Sequence, residues 1–181
     1  MKDEKTIIKA ILAGKTAYYG VLVERYQNPV FRVIFNMVNN YEDARELTQD
    51  VFVKAYESLQ QYNPEFKFFS WIYRIAINRA LLFGRNKKTY VPLEKIAFQK
   101  ETSSGPDTEY DLKTRDALVR KAIDSLKEMY KTVVLLKYYA GLSYEEIAET
   151  LEIPEKTVKS RLFDARMLLK DKLSKNLQYV D

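Results

Sequence analysis

Between Pro154 and Lys172 six basic side chains stand against three acidic ones, a local charge of +3. Lys156, Thr157, Lys159, Ser160 and Arg161 open that stretch, and a helix restarting at Pro154 would turn them outward. Their chemistry suits duplex DNA. Lysine and arginine donate to guanine edges, threonine and serine donate to phosphates or accept from bases, and each good base contact discriminates by about 1–3 kcal/mol. The bland counterpart is a helical hairpin of a bundle with a solvated basic face.

A second set lies upstream in YNPEFKFFSWIYRIAINRALLFGRNKK. Tyr62, Phe66, Phe68 and Phe69 cluster around the turn signal Asn63–Pro64, and Ser70 is positioned to cap a helix carrying Trp71, Ile72, Ile75 and Ala76. Arg74, Asn78, Arg79, Arg85, Lys87 and Lys88 follow as a basic ramp. Rings that stack on bases, beside cations that meet phosphates, are what single-stranded nucleic acid needs. Taken one at a time, Phe66, Phe68, Phe69 and Trp71 read as core; the ramp of cations does not.

The inventory removes other chemistries. The 181 residues contain no cysteine and no histidine, which excludes disulfides, thiol nucleophiles, Ser/His/Asp triads and zinc sites of the usual ligand types. No cofactor and no enzymatic activity is expected. With 46% apolar and 30% charged residues the composition is that of a globular chain, and its net charge of +5 is a modest bias toward polyanions. No uncharged apolar run reaches membrane-spanning length, and MKDEKTIIKAILAGK is too short and too charge-flanked for a signal peptide. A cytoplasmic protein is the expectation.

Helices must position these residues. Glycine and proline number five each, and no sustained period-2 alternation marks a strand, so the expected fold is all-α. In NNYEDARELTQDVFVKAYESL the apolar Ala44, Leu47, Val51, Phe52, Ala55, Tyr56 and Leu59 recur at three-and-four spacing, while Asp43, Glu46, Asp50 and Glu57 sit mostly off that stripe; Asn40 is the expected cap. Residues 1–88 should hold about four helices. Residues 89–110 collect proline, glycine, serine and threonine with a net charge of −2 and read as a flexible linker. Residues 111–181 form a second helical domain. Within it Ser143 and Glu146 make a capping box, Ile147, Leu151, Ile153, Val158 and Leu162 are spaced to share one core, and small Ala148 admits a close crossing. Pro154 fits the first position of the next helix, its missing N–H having no partner there. Two helices broken so tightly form a helix-turn-helix, whose second helix enters the major groove. Glu152 falls where the turn favours glycine, at a strain of about 1 kcal/mol.

With these motifs in this order, the chain resembles a bacterial RNA polymerase sigma factor of the extracytoplasmic-function group along nearly its whole length. YEDARELTQDVFVKAYESL and FFSWIYRIAINRA are similar to the family's polymerase-binding and promoter-melting helices, and KYYAGLSYEEIAETLEIPEKTVKSRLFDARMLLK to the domain that reads the upstream promoter element. The resemblance implies that Asp43, Glu46, Gln49 and Asp50 contact the polymerase clamp. It implies that Tyr62, Asn63, Phe66 and Lys67 of the loop, with Ser70, Arg74, Asn78 and Arg79 of the helix, hold the non-template strand of the minus-ten element with a base flipped out. It implies that Lys156, Thr157, Lys159, Ser160 and Arg161 read the minus-thirty-five element. Core RNA polymerase, promoter DNA and an anti-sigma factor are then the expected partners, with no small-molecule substrate and no membrane insertion. Two other readings rest on the residues alone: a stand-alone helix-turn-helix regulator of a duplex operator, and a helical adaptor that leaves the basic C-terminal helix without a role.

Overall fold

The computed structural model describes residues 3–90 and 117–177, and among these every secondary-structure element is a helix, as the spacing predicts. Four helices precede residue 91: α1 (Glu4–Leu12), α2 (Tyr19–Val38), α3 (Tyr41–Glu57) and α4 (Phe68–Tyr90), with short 3-10 turns at Thr16–Tyr18 and Leu59–Gln61. α5 covers residues 117–124. It is followed by α6 (Glu128–Tyr138), α7 (Tyr144–Leu151) and α8 (Glu155–Leu177). α4 extends two residues into the stretch assigned to the linker; the remainder of 89–110 lies outside the described residues.

The punctuation is local chemistry. α2 ends on Asn39 in the left-handed conformation, φ 55°, which asparagine tolerates better than most residues. Asn40 then caps α3, its Oδ1 accepting from the Asp43 N–H at 2.9 Å. With that start fixed, the apolar stripe of α3 faces inward: Ala44, Leu47, Val51, Phe52 and Ala55 are buried with Leu22, Val30, Val33 and Ile34 of α2 and with Phe68, Ile72 and Ala76 of α4. α1 lies across this bundle through Ile7, Ile8 and Ile11, and its Glu4 accepts from Arg25 at 3.0 Å and from the Tyr26 hydroxyl.

Two expectations about helix starts are corrected. Ser70 does not cap α4, which begins at Phe68 and leaves Ser70 in its first turn, 1% exposed. The completely buried Phe68 ring, seated among Tyr26, Tyr62 and Trp71, fixes the start earlier than local capping would. Pro154 stands just before α8 rather than inside it, with its carbonyl accepting from the N–H groups of Thr157 and Val158.

In the C-terminal half α6, α7 and α8 pack around Val133, Val134, Leu136, Ile147, Val158, Leu162 and Ala165, and Leu151 and Ile153 close that core from its edge as their spacing predicts. Fully burying each such aliphatic side chain stabilises the fold by about 1.5–3 kcal/mol. The two halves also meet. α4 packs against α7 and α2 against α6, and one continuous apolar cluster runs through both. Ion pairs line the seam: Lys67–Glu146 at 2.8 Å, Arg74–Glu152 at 2.6 Å and Arg85–Glu128 at 3.1 Å. Lys131 bonds to Asp124 at 2.6 Å and to the Met37 carbonyl at 3.1 Å, and Asn39 donates to Asp124.

Candidate nucleic-acid interface

The loop ahead of α4 is held from both sides. Asn63 Oδ1 accepts from the Glu65 N–H at 3.0 Å, the asparagine turn that Asn63–Pro64 signals, and the Tyr62 hydroxyl donates to the Phe66 carbonyl at 2.6 Å. Burial pushes the Tyr62 phenol up to about 12, so it remains a donor at any physiological pH. With its hydroxyl so engaged, Tyr62 forms a wall, at 8% exposure, while the Phe66 ring stands 50% exposed. Tyr62 and Trp71 lie ring against ring at 5.4 Å.

Between loop and helix is a cleft of about 140 Å³. Tyr62, Asn63, Phe66, Ser70, Trp71 and Arg74 line it together with Gln61, and Glu149 of α7 closes it. Ser70 Oγ is buried with no hydrogen-bond partner among the described residues. Five of the residues assigned to the minus-ten element therefore share one concavity. Lys67 rises at its rim with its ammonium 5.3 Å from the Phe69 ring. Asn78 is exposed farther along α4, beside Arg74 in a neighbouring groove, and Arg79 is half-buried one residue round the helix. Trp71, absent from the expected site, lines it; its position three residues before Arg74 on the same helix face is the signal that identifies it.

The helix-turn-helix is built as its spacing predicts. Ser143 Oγ accepts from the Glu146 N–H at 3.1 Å and Glu146 Oε2 accepts from the Ser143 N–H at 2.8 Å, a complete capping box. α7 ends on Glu152 at φ 53° and ψ 44°. The N–H of Ile153 reaches the Ala148 carbonyl at 3.1 Å and that of Glu152 reaches the Glu149 carbonyl at 3.4 Å, the two bonds of a Schellman motif. Ile153 and Ala148 are the apolar pair that accompanies such a motif, and both pack on the core. α8 then presents Lys156, Lys159 and Ser160 to solvent. Lys159 pairs with Glu155 at 2.8 Å, one turn earlier, and that hydrogen bond holds its ammonium pKa above the usual value. Thr157 and Arg161 lie round the helix and are half-buried, and Arg161 shares a groove with Ile77, Asn78 and Leu81 of α4, its Nε buried without a partner. The five duplex-reading candidates thus divide into three that face out and two that are half-buried, of which Arg161 lies beside α4.

In the N-terminal bundle, Glu46, Gln49 and Asp50 are exposed on one face of α3 and Asp43 is half-buried. Val53 continues that face one turn on, 58% exposed. An acidic face with an apolar spot is suited to a basic, partly apolar protein surface.

The described residues thus form two helical halves, one with a cleft of rings and cations at the start of α4 and one with a helix-turn-helix whose second helix exposes Lys156 and Lys159. The Sigma-70 region 2 family matches residues 22–89 and the Sigma-70, region 4 family matches residues 116–169. The chain is 30% identical to the ECF RNA polymerase sigma-E factor of Haemophilus influenzae, over 94% of this chain and 95% of that one. It is likewise 30% identical to the ECF RNA polymerase sigma factor SigW of Bacillus subtilis, over 93% and 96%. The protein belongs to the ECF RNA polymerase sigma factors. Its fold resembles CnrH in the complex with the cytosolic domain of CnrY, with a TM-score of 0.73 and 21% identity over 95% of this chain and 97% of that one. It also resembles the sigma factor RpoE of Bartonella quintana in complex with the anti-sigma factor NepR, with a TM-score of 0.65 and 19% identity over 86% and 96%.

Proposed function

We propose that the chain is the promoter-specificity subunit of RNA polymerase, directing initiation at a defined promoter set and leaving the nucleotidyl chemistry to the polymerase. The single observation that carries this is the cleft at the start of α4, where rings and cations converge in one half of the chain while the other half carries a helix-turn-helix suited to duplex DNA. The exposed acidic face of α3, with Asp43, Glu46, Gln49 and Asp50, binds the polymerase. Phe66 and Trp71 stack bases of the opened strand, while Lys67, Arg74, Asn78 and Arg79 hold its backbone and Tyr62, Asn63 and Ser70 shape the pocket for a flipped base. Unstacking costs a few kcal/mol, which the pocket and the cationic contacts offset. Lys156, Thr157, Lys159, Ser160 and Arg161 read the upstream duplex. Two weak modules on one chain gain by effective concentration, so promoter spacing matters as much as either element. An anti-sigma factor, such as accompanies the Bartonella quintana relative, is the partner that withholds the chain from polymerase.

Among the described residues no helix is long and apolar enough to cross a membrane, in keeping with a partner reached in the cytoplasm. The test is reconstitution. Added to core polymerase, the purified chain is expected to give promoter-dependent transcripts and to bind duplex promoter poorly without polymerase. Tight polymerase-free binding to a duplex operator with no initiation would establish the stand-alone regulator instead.

A further inference from the structure

Glu4, the first residue of α1, is joined to the walls of the α4 cleft through a line of rings. Ile7, Ile8 and Ile11 already seat α1 on the bundle by burial, and a glutamate in a first turn suits the helix dipole wherever it points. Neither accounts for where Glu4 points. Its Oε1 crosses to α2 and accepts there from Arg25 at 3.0 Å and from the Tyr26 hydroxyl. The Tyr26 ring lies 5.5 Å from Phe68, and the completely buried Phe68 lies 5.8 Å from Tyr62 and 5.6 Å from Trp71. Tyr62 and Trp71 meet each other at 5.4 Å and line the cleft. Every pair is tilted or edge-on, the arrangement in which aromatic quadrupoles attract. Four rings therefore form one packed unit, with the Glu4 carboxylate at one end and the single-strand cleft at the other. Burial first, and then the hydrogen bond to Glu4, raise the Tyr26 phenol above its ordinary pKa, so it remains a donor to that carboxylate. The Glu4 charge also follows burial as the second cause of the raised Tyr62 phenol, which places its field at the cleft wall.

We propose that Glu4 and Tyr26 are positioning residues for promoter opening: the hydrogen bond between them braces Phe68, and Phe68 holds Tyr62 and Trp71 at the spacing that a base of the opened strand requires. The role rests on the single-strand reading of the cleft and extends it to a helix that lines no part of that cleft. Close-packed interiors transmit a displacement instead of absorbing it, and Phe68 has no exposed side on which to yield. A binding wall displaced by about 1 Å loses much of its effect, so fixing one hydroxyl two rings away matters to the site. Tyrosine at position 26 is needed for this because phenylalanine would give Phe68 the same ring with nothing to anchor it.

Trp71 is the only tryptophan of the chain, so its fluorescence reports the cleft wall directly. Acrylamide quenching is measured in the free chain, and permanganate reactivity of minus-ten thymines in the reconstituted holoenzyme, for wild type, Glu4→Ala, Glu4→Gln and Tyr26→Phe, with circular dichroism verifying the helices. Glu4→Ala and Tyr26→Phe are expected to raise the quenching constant of Trp71 about two-fold and to lower thymine reactivity about three- to ten-fold, while polymerase association stays at the wild-type level. Glu4→Gln keeps an acceptor oxygen for Tyr26 and is expected to stay near wild type in both readouts. A contact that merely adds stability moves the unfolding midpoint and neither readout of the folded chain. Unchanged quenching in Tyr26→Phe, which removes only the hydroxyl, overturns the brace. Raised quenching with undiminished thymine reactivity overturns the positioning role where Trp71→Ala/Arg74→Ala still lowers reactivity; where that double variant is also fully reactive, it overturns the single-strand reading itself.

Discussion

At Glu152 the backbone requires a left-handed conformation while Arg74 requires a carboxylate, and a single residue meets both demands. The positive φ costs about 1–2 kcal/mol in a residue with a Cβ, whereas an ion pair this exposed contributes about 0.2–1 kcal/mol. Glu152→Gly is therefore expected to raise stability by a few tenths to about 1 kcal/mol in urea unfolding while loosening the contact between α4 and α7. A net loss of stability would mean the Arg74 contact outweighs the strain. Glu146 answers to pH. The hydrogen bond from Lys67 first, and that from the Ser143 backbone next, hold its carboxyl below the usual 4.5. A carboxyl depressed in this way stabilises the folded chain above that ordinary value, and the contribution is lost as pH falls through the lowered one. Acid titration of urea stability should thus be steeper for the wild-type chain than for Glu146→Gln; parallel curves would remove Glu146 from the seam.

At the scale of elements, each helix divides its work between two faces. α3 buries Ala44, Leu47, Val51 and Ala55 and exposes Glu46, Gln49 and Asp50. Glu46→Lys/Asp50→Lys is expected to weaken association with core polymerase at least about ten-fold with thermal stability changed by less than about 0.5 kcal/mol. Asp43 is less suited to this test because it lies in the first turn of α3, half-buried and beside the cap. For α8, Lys156→Ala and Lys159→Ala should each weaken promoter binding of the holoenzyme and lower the slope of log K against log salt by about 1. An unchanged slope would exclude phosphate contact. How much of this was legible in the sequence follows from how local each signal is. The turn between α7 and α8 could be read in full because its determinants, Ser143, Glu146, Glu152 and Pro154, lie within twelve residues of one another. The start of α4 could not, since Phe68 is seated by Tyr26 from α2 and by Tyr62 and Trp71, and tertiary burial overrides the cap that Ser70 offers.

Across the whole molecule the same limit explains the seam. Arg74 and Glu152 are 78 residues apart and Lys67 and Glu146 are 79 apart, and a charge pair at such separation has no periodicity to announce it. Each half shows its own chemistry in sequence; their mutual occupation shows only in three dimensions. The halves share a continuous apolar cluster as well as these charges. Ile147→Ala, which cuts into the C-terminal centre, should cost about 2–5 kcal/mol of that half's stability.

The account turns on the α4 cleft taking up the opened strand, and permanganate footprinting of a cognate promoter in the reconstituted holoenzyme tests this most directly. The wild-type chain is expected to render minus-ten thymines reactive, and Trp71→Ala/Arg74→Ala to reduce that reactivity about ten-fold or more while upstream duplex protection persists. Undiminished thymine reactivity in the double variant would contradict it.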